Sequence, residues 1–283
     1  MIPAPFEYQR ATSLDDALAA LSGGDAKVLA GGMSLLPLMK LRLAAPGRLV
    51  DIGGLGELKG VRQLPDGRLA VGALTTYAEL LDSPAQHYGL LRDAIPDIGD
   101  RQVRNRGTVG GAISHADPAS DLPACLLALD AEVVLRSRSG ERTVGVDGFF
   151  EGAFTTGIQP DEILTEVRLP GPRDDAGSAY VSLTNPASGY ALVGVAAVVF
   201  RGTSGVVAGS VALTGVGEVA YRARAVEAAL DGTDGSPDAV AAAAEHATEG
   251  QTVNGDIHAD RDYRARMAVV YTRRAIAAAL ARL

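Results

Sequence analysis

Two glycine clusters constrain this chain more than any other feature: Leu29-Ala30-Gly31-Gly32-Met33-Ser34-Leu35 and Arg104-Asn105-Arg106-Gly107-Thr108-Val109-Gly110-Gly111-Ala112. Each presents consecutive backbone N–H groups with no Cβ to shield them, and each carries a hydroxyl, Ser34 or Thr108. Together they could wrap a pyrophosphate from two sides; two tight turns in a packed sheet explain the same composition. Around the first cluster, Lys27 to Ala30 and Arg48 to Ile52 read as short buried strands. Leu35 to Leu43 reads as a helix with Ser34 as its cap and Pro37 in its first turn, where a missing N–H does no harm. A helix that starts on a glycine turn adds a favourable dipole for an anion.

The 283 residues suffice for two domains. Apolar residues at 47%, with Gly 34 and Pro 14, suit an α/β or α+β chain rich in tight turns. The net charge of −8 repels polyanions, so nucleic acid is not an expected partner. Cys125 is the single cysteine, and His87, His115, His246 and His258 form no HxxxH pair, which argues against a chain-encoded iron–sulfur or zinc site. The longest apolar run, Ala191 to Phe200, is half of the roughly 20 residues a membrane helix needs. The N-terminus carries no basic-then-apolar leader, and the expected location is cytoplasmic.

Ser13 is expected to open a helix with Asp15 and Asp16 in its first turn. Leu69 to Leu74 reads as a strand, and Thr76-x-x-Glu79 as a capping box. Glu132 to Arg138 and Arg142 to Val146 predict a hairpin turning at Ser139-Gly140, followed by a strand over Asp161 to Pro170. The polar, turn-rich stretch at 172 to 177 reads as a domain boundary. Beyond it come strands at Tyr180 to Thr184, Ala191 to Phe200 and Val206 to Thr214, then alanine-rich helices. The last helix, from Asp260, carries Tyr263, Met267, Val270 and Tyr271 on one side. Gly215-x-Gly217-x-x-Ala220, before a helix expected from Tyr221, approximates a dinucleotide fingerprint. It leaves too little chain to build a nucleotide-binding sheet and reads as a structural turn. The polar loop from Ser114 to Pro123, before an apolar helix at Ala124 to Leu129, is where a ligand would be held. His115, Asp117 and Asp121 lie in it without a nucleophile motif, so His115 is expected to bond the loop or touch a cofactor. Arg101, Arg104 and Arg106 suit phosphate, an acidic partner or plain solvent.

Several segments together resemble a known family. Ala30-Gly31-Gly32-Met33-Ser34-Leu35-Leu36-Pro37-Leu38-Met39-Lys40-Leu41-Arg42-Leu43 with Leu49-Val50-Asp51-Ile52 is similar to the first flavin loop of the FAD-binding medium subunits of molybdenum hydroxylases, of the carbon monoxide dehydrogenase and xanthine dehydrogenase types. Val103 to Gly111 and His115 to Ala124 resemble the other flavin loop, and the likeness runs through Asp161 to Pro170, Tyr190 to Ala197 and Tyr263 to Met267 to Arg273-Arg274-Ala275.

The resemblance implies an α+β fold: a two-lobed FAD-binding domain of the vanillyl-alcohol-oxidase (PCMH) type over residues 1–172, split near 53–60, then a smaller α+β C-terminal domain over 177–283. It implies FAD as the cofactor, lined by Ala30, Gly31, Gly32, Met33, Ser34, Leu35, Thr108, Val109, Gly110, Gly111, Asp117, Asp121, Leu164 and Tyr190, with no resident metal. It also implies a small [2Fe–2S] subunit and a large molybdopterin subunit as partners, in a complex that can form a dimer of heterotrimers, and electrons leaving through FAD to an external acceptor. The chain departs from the pattern at Met33, usually Gln or His, at Ser182, often Lys, and at Gly189, often Asp. The segment from 182 to 190 therefore leaves open a stand-alone FAD oxidoreductase acting directly on a small organic substrate. A scaffold that has lost its cofactor is a third, remoter reading.

Overall fold

The computed structural model describes residues 2–201 and 207–283. The first lobe is a small parallel sheet formed by β1 (Glu7–Arg10), β2 (Ala26–Leu29) and β3 (Arg48–Asp51) in the order β1-β3-β2. Parallel neighbours need crossover connections, and helices α1 (Leu14–Leu21) and α2 (Leu35–Lys40) supply them. The Ser13 hydroxyl caps α1 by accepting the Asp16 amide at 3.1 Å, and Ala17, Leu18, Ala20 and Leu21 are buried in this lobe's core with Val50 and Ile52. Two expectations fail at α2. The Ser34 side chain makes no cap bond, because Ser34 itself already has helical backbone angles. The helix stops at Lys40 instead of Leu43, since Arg42 turns into the left-handed region at φ 60°.

The second lobe is an antiparallel sheet of β4 (Val61–Gln63), β5 (Leu69–Gly72), β6 (Glu132–Ser137), β7 (Gly140–Gly145) and β10 (Ile163–Leu169), in the order β4-β5-β10-β6-β7. The strand latest in sequence is thus the central one. A two-stranded hairpin, β8 (Phe150–Gly152) and β9 (Thr155–Thr156), precedes it. Helices α3 (Tyr77–Leu81), α4 (Gly89–Ala94), α5 (Arg101–Arg104), α6 (Val109–His115) and α7 (Asp121–Ala128) lie between β5 and β6 in sequence. The Thr76–Glu79 capping box forms at the start of α3. The hairpin turn lies one residue earlier than expected: Ser137 pairs with Gly140, so Arg138-Ser139 is the loop, closed by the Ser139 amide donating to Ser137 Oγ at 3.2 Å. Every residue of α7 is buried, as befits a helix packed between this lobe and the next sheet.

The remaining strands, β11 (Ala176–Thr184), β12 (Ala191–Arg201), β13 (Val207–Thr214) and β14 (Tyr221–Arg222), form a sheet in sequence order. Helices α8 (Arg224–Leu230), α9 (Pro237–Ala244) and α10 (Arg261–Leu280) share a core with it. The Val206 end of the expected third strand lies outside the described residues. The 215–220 segment is a turn, with Gly215 at φ 78°, and Tyr221 begins a strand, the helix following only at Arg224. In α10 the buried residues are Arg264, Ala268, Thr272, Ala275, Ile276 and Ala279, while Tyr263 is exposed. Small residues face inward because helix and sheet nearly touch: a Cβ at Gly177 would stand 2.0 Å from the Ala279 carbonyl oxygen. The two domains are joined by polar contacts as well. Buried Arg222 binds Glu227 at 2.6 Å and reaches across to Asp130, and Arg282 binds Asp93 at 2.5 Å.

Candidate functional site

The two glycine clusters meet. A Cβ on Gly31 would fall 1.9 Å from the Arg106 carbonyl oxygen and 3.2 Å from Gly107 Cα, so only glycine lets the first loop lie on the second. Gly32 follows in the left-handed region at φ 74°. The amide N–H groups of Gly31, Gly32, Met33, Ser34 and Leu35 find no protein acceptor among the described residues, and the Ser34 hydroxyl is likewise unengaged. Five successive donors and a hydroxyl, in a backbone that is partly shielded from solvent, constitute an anion cradle.

The second loop spends its amides differently, which corrects the expectation of a matching nest. Val109 N–H donates to Thr75 O at 2.9 Å, Gly110 N–H to Ala73 O at 2.8 Å and Gly111 N–H to Thr108 Oγ1 at 3.2 Å. Thr76 and Thr108 form an antiparallel bridge that fixes the loop beside α3. Ala73 also donates to Thr165 O at 2.9 Å, at the bulge in β10 next to buried Leu164. Ala73 thus links Gly110 of the loop to Thr165, the residue after Leu164. Thr108 N–H alone in this stretch keeps no protein partner among the described residues. Arg104 is occupied with the carbonyl oxygens of Pro96, Ile98 and Gly99, at 2.6 to 3.2 Å.

From the second loop, α6 runs roughly 10 Å to an acidic and aromatic end. Ala116 closes the helix in the left-handed region at φ 49°, and Asp117, half-buried, accepts the Ala119 amide at 2.9 Å. Asp121, at the start of α7, is buried, and its carboxylate accepts the Tyr180 hydroxyl. Burial pushes the Asp121 carboxyl up to about 6, against the pull of the Tyr180 hydrogen bond. Burial likewise raises Tyr77 and Tyr190, and both feel the charge of Asp121, which brings Tyr77, Tyr190, Asp117 and Asp121 into one electrostatic neighbourhood. Tyr190 is 46% exposed and Met33 37%, so each borders the site from the solvent side. His115 is held against Phe154, ring centroids 5.0 Å apart, and burial lowers its pKa, which favours a neutral ring. Tyr77 is the contributor that sequence reasoning missed: its ring edge stands 2.7 Å from where a Gly107 Cβ would lie, and no sequence pattern marks it beyond its place after the capping box.

The donor set fits an anionic dinucleotide: unpaired amides at one end attract phosphate oxygens, while the aromatic side chains of Tyr77 and Tyr190 at the other suit an uncharged ring, and the carboxyls of Asp117 and Asp121 disfavour phosphate there. Sequence comparison gives the same answer. The family described as FAD binding domain in molybdopterin dehydrogenase matches residues 4–172, and the CO dehydrogenase flavoprotein C-terminal domain matches residues 178–279. This chain belongs to the FAD-binding medium chains of the molybdenum hydroxylases. FAD is the cofactor of this flavoprotein family, whose members are subunits of oxidoreductases. The medium chain is 40% identical to the carbon monoxide dehydrogenase medium chain of Hydrogenophaga pseudoflava, over 100% of this chain and 99% of that one. It is 41% identical to the glyceraldehyde dehydrogenase medium chain of Sulfolobus acidocaldarius over 80% and 81% of the two chains. A solved structure of the Hydrogenophaga pseudoflava carbon monoxide dehydrogenase, lacking the Mo-pyranopterin moiety, superposes with a TM-score of 0.95 at 42% identity, covering 100% and 99% of the chains. Among the described residues of the flavoprotein, no helix is long and apolar enough to cross a membrane.

Proposed function

We propose that this chain carries the FAD that joins the [2Fe–2S] clusters of a small partner subunit to an external electron acceptor, within a cytoplasmic molybdenum hydroxylase whose large subunit holds the molybdopterin. The observation that carries this reading is the row of five unpaired amides from Gly31 to Leu35, lying against the Arg106-Gly107 backbone. One cysteine, Cys125, is too few to hold a cluster, and it is buried, so iron–sulfur centres belong to another chain. Relatives with this architecture are named for different dehydrogenases, acting on carbon monoxide or glyceraldehyde. Such variety fits a chain that is not the one choosing the substrate. A dimer of heterotrimers is the assembly we expect.

In this reading the Gly31–Leu35 amides, with the Ser34 and Thr108 hydroxyls, hold the diphosphate, and Ala30 and the Thr108–Gly111 loop close it from below. Asp117, Asp121, Leu164, Tyr190 and Tyr77 line the ring end, Met33 covering the loop from outside. Bound FAD supplies a redox centre that can accept electrons singly and release them in pairs; the protein supplies binding, orientation and electrostatics. The polarity of the site sets the direction of binding, because a diphosphate at the Asp117–Asp121 end would face like charge. A tagged chain expressed in its native host should bring down two partner subunits, and its yellow colour should bleach under substrate only in that complex. A chain that purifies alone and is reduced directly by an organic substrate would establish the stand-alone alternative instead.

A further inference from the structure

The loop from Ala116 to Asp121 belongs to the first domain, yet the second domain holds it. Thr214 Oγ1, at the end of β13, lies 2.8 Å from both the Pro118 and Ser120 carbonyl oxygens. The next residue, Gly215, donates its amide to Pro118 O at 2.8 Å. Tyr180, on β11, donates its hydroxyl to the Asp121 carboxylate. These donors are themselves fixed. A Cβ at residue 194 would lie 2.0 Å from the Tyr180 hydroxyl oxygen, so Gly194 on β12 is what leaves room for that hydroxyl. The Tyr180 amide donates to Asp93 at 3.1 Å. From α10, buried Arg264 reaches the Leu192 and Gly215 carbonyl oxygens at 2.6 and 2.5 Å and pairs with Asp256 at 2.9 Å. The Asp121 carboxylate thus has one oxygen held from the C-terminal sheet, and the backbone before it is held at two further points.

We propose that Tyr180 and Thr214 are positioning residues for the flavin pocket, through which the C-terminal domain sets the orientation of Asp121 and the conformation of the 117–121 loop toward the ring. The proposal rests on the reading that Asp117 and Asp121 line the cofactor. Apart from Tyr190, in the turn before β12, the C-terminal domain need not touch FAD: its strands act by fixing the groups that do. The two substitutions remove one bonding atom each while keeping shape, since Tyr180→Phe deletes a hydroxyl and Thr214→Val replaces one by a methyl.

Tyr180→Phe, Thr214→Val and Asp121→Asn should be prepared in the assembled complex. Each is then examined by flavin absorption, flavin midpoint potential, rate of FAD release and amide hydrogen exchange over residues 116–122. The proposal expects Tyr180→Phe to shift the flavin band and potential and to speed release about tenfold, the scale of one hydrogen bond to a charged group. Thr214→Val should speed exchange of the loop and release FAD faster, while the C-terminal core keeps its protection. Folded variants with wild-type potential, release rate and loop exchange would overturn it, and Thr214→Val decides alone if Tyr180→Phe does not fold. Asp121→Asn separates the two levels of inference. If it alters the flavin and the other two do not, the positioning role fails and the cofactor reading survives; if it is silent, Asp121 is outside the pocket and both fall.

Discussion

The two glycine loops carry nearly the same sequence sign, a Gly-Gly pair near a hydroxyl, and use it in opposite ways. In the first, a parallel strand ends at Leu29 and the chain passes into α2 with five amides left over. In the second, the amides of Val109, Gly110 and Gly111 are consumed by Thr75, Ala73 and Thr108. The first loop is built to offer donors, the second to bring backbones close. Glycine permits both, and what decides between them is whether an acceptor from the protein is within reach.

Substitutions at the two loops should therefore separate stability from affinity. At Gly110 a Cβ would meet Ala73 Cβ at 2.5 Å and Ala73 O at 2.9 Å, so Gly110→Ala should cost the apo protein about 3 kcal/mol, seen as a lower midpoint in chemical denaturation. Gly31→Ala pushes the loops apart and should weaken FAD binding about 100-fold, or about 2.7 kcal/mol, in a fluorescence titration, with a smaller loss of apo stability. If Gly31→Ala lowers apo stability as far as Gly110→Ala does, the contrast is lost. Asp121 tests the end of the same strip. Its folded pKa of about 6 lies above the ordinary 3.8, so the folded state holds the proton more tightly. Its contribution is full below about pH 4 and lost as pH rises through 6, a penalty on the order of 3 kcal/mol at neutral pH. Asp121→Asn, whose amide oxygen can still accept from Tyr180, should then gain melting temperature over the parent between pH 4 and 7.5. Ser34→Ala is the mildest: about tenfold weaker FAD binding with unchanged apo melting, since its hydroxyl supports no protein bond.

The features legible in sequence were those with a local cause. Ser13 and the Thr76–Glu79 box act within one helical turn and are in place, and the last helix begins next to Asp260, whose side chain caps it. The mixed α+β content and the family likewise followed from patterns readable in order along the chain. Long-range pairings were not legible. Nothing near Gly110 says that Ala73 will accept its amide, nor does the sequence of β11 say that Tyr180 will meet Asp121 across 59 residues. One clue was available: a lone glycine at 194 within an apolar, β-branched run signals that something approaches closely, and that something is Tyr180. On α10 the sequence marks a row of larger residues, of which Met267 and Tyr271 pack at the edge of the core, while the fully buried positions go to Ala268, Ala275 and Ala279, because helix and sheet approach too closely for more.

The central place of β10 has a consequence for biosynthesis. Strands β5 and β6 are joined through β10, which lies between them and is the last strand of this sheet to be translated. Until residues 163–169 emerge from the ribosome, the sheet is two unjoined halves, and Ala73 lacks the Thr165 carbonyl against which the Gly110 turn is braced. Loading of the prosthetic group must accordingly wait for most of the first domain to be made, and a nascent chain stalled before that point would expose two raw sheet edges to its neighbours.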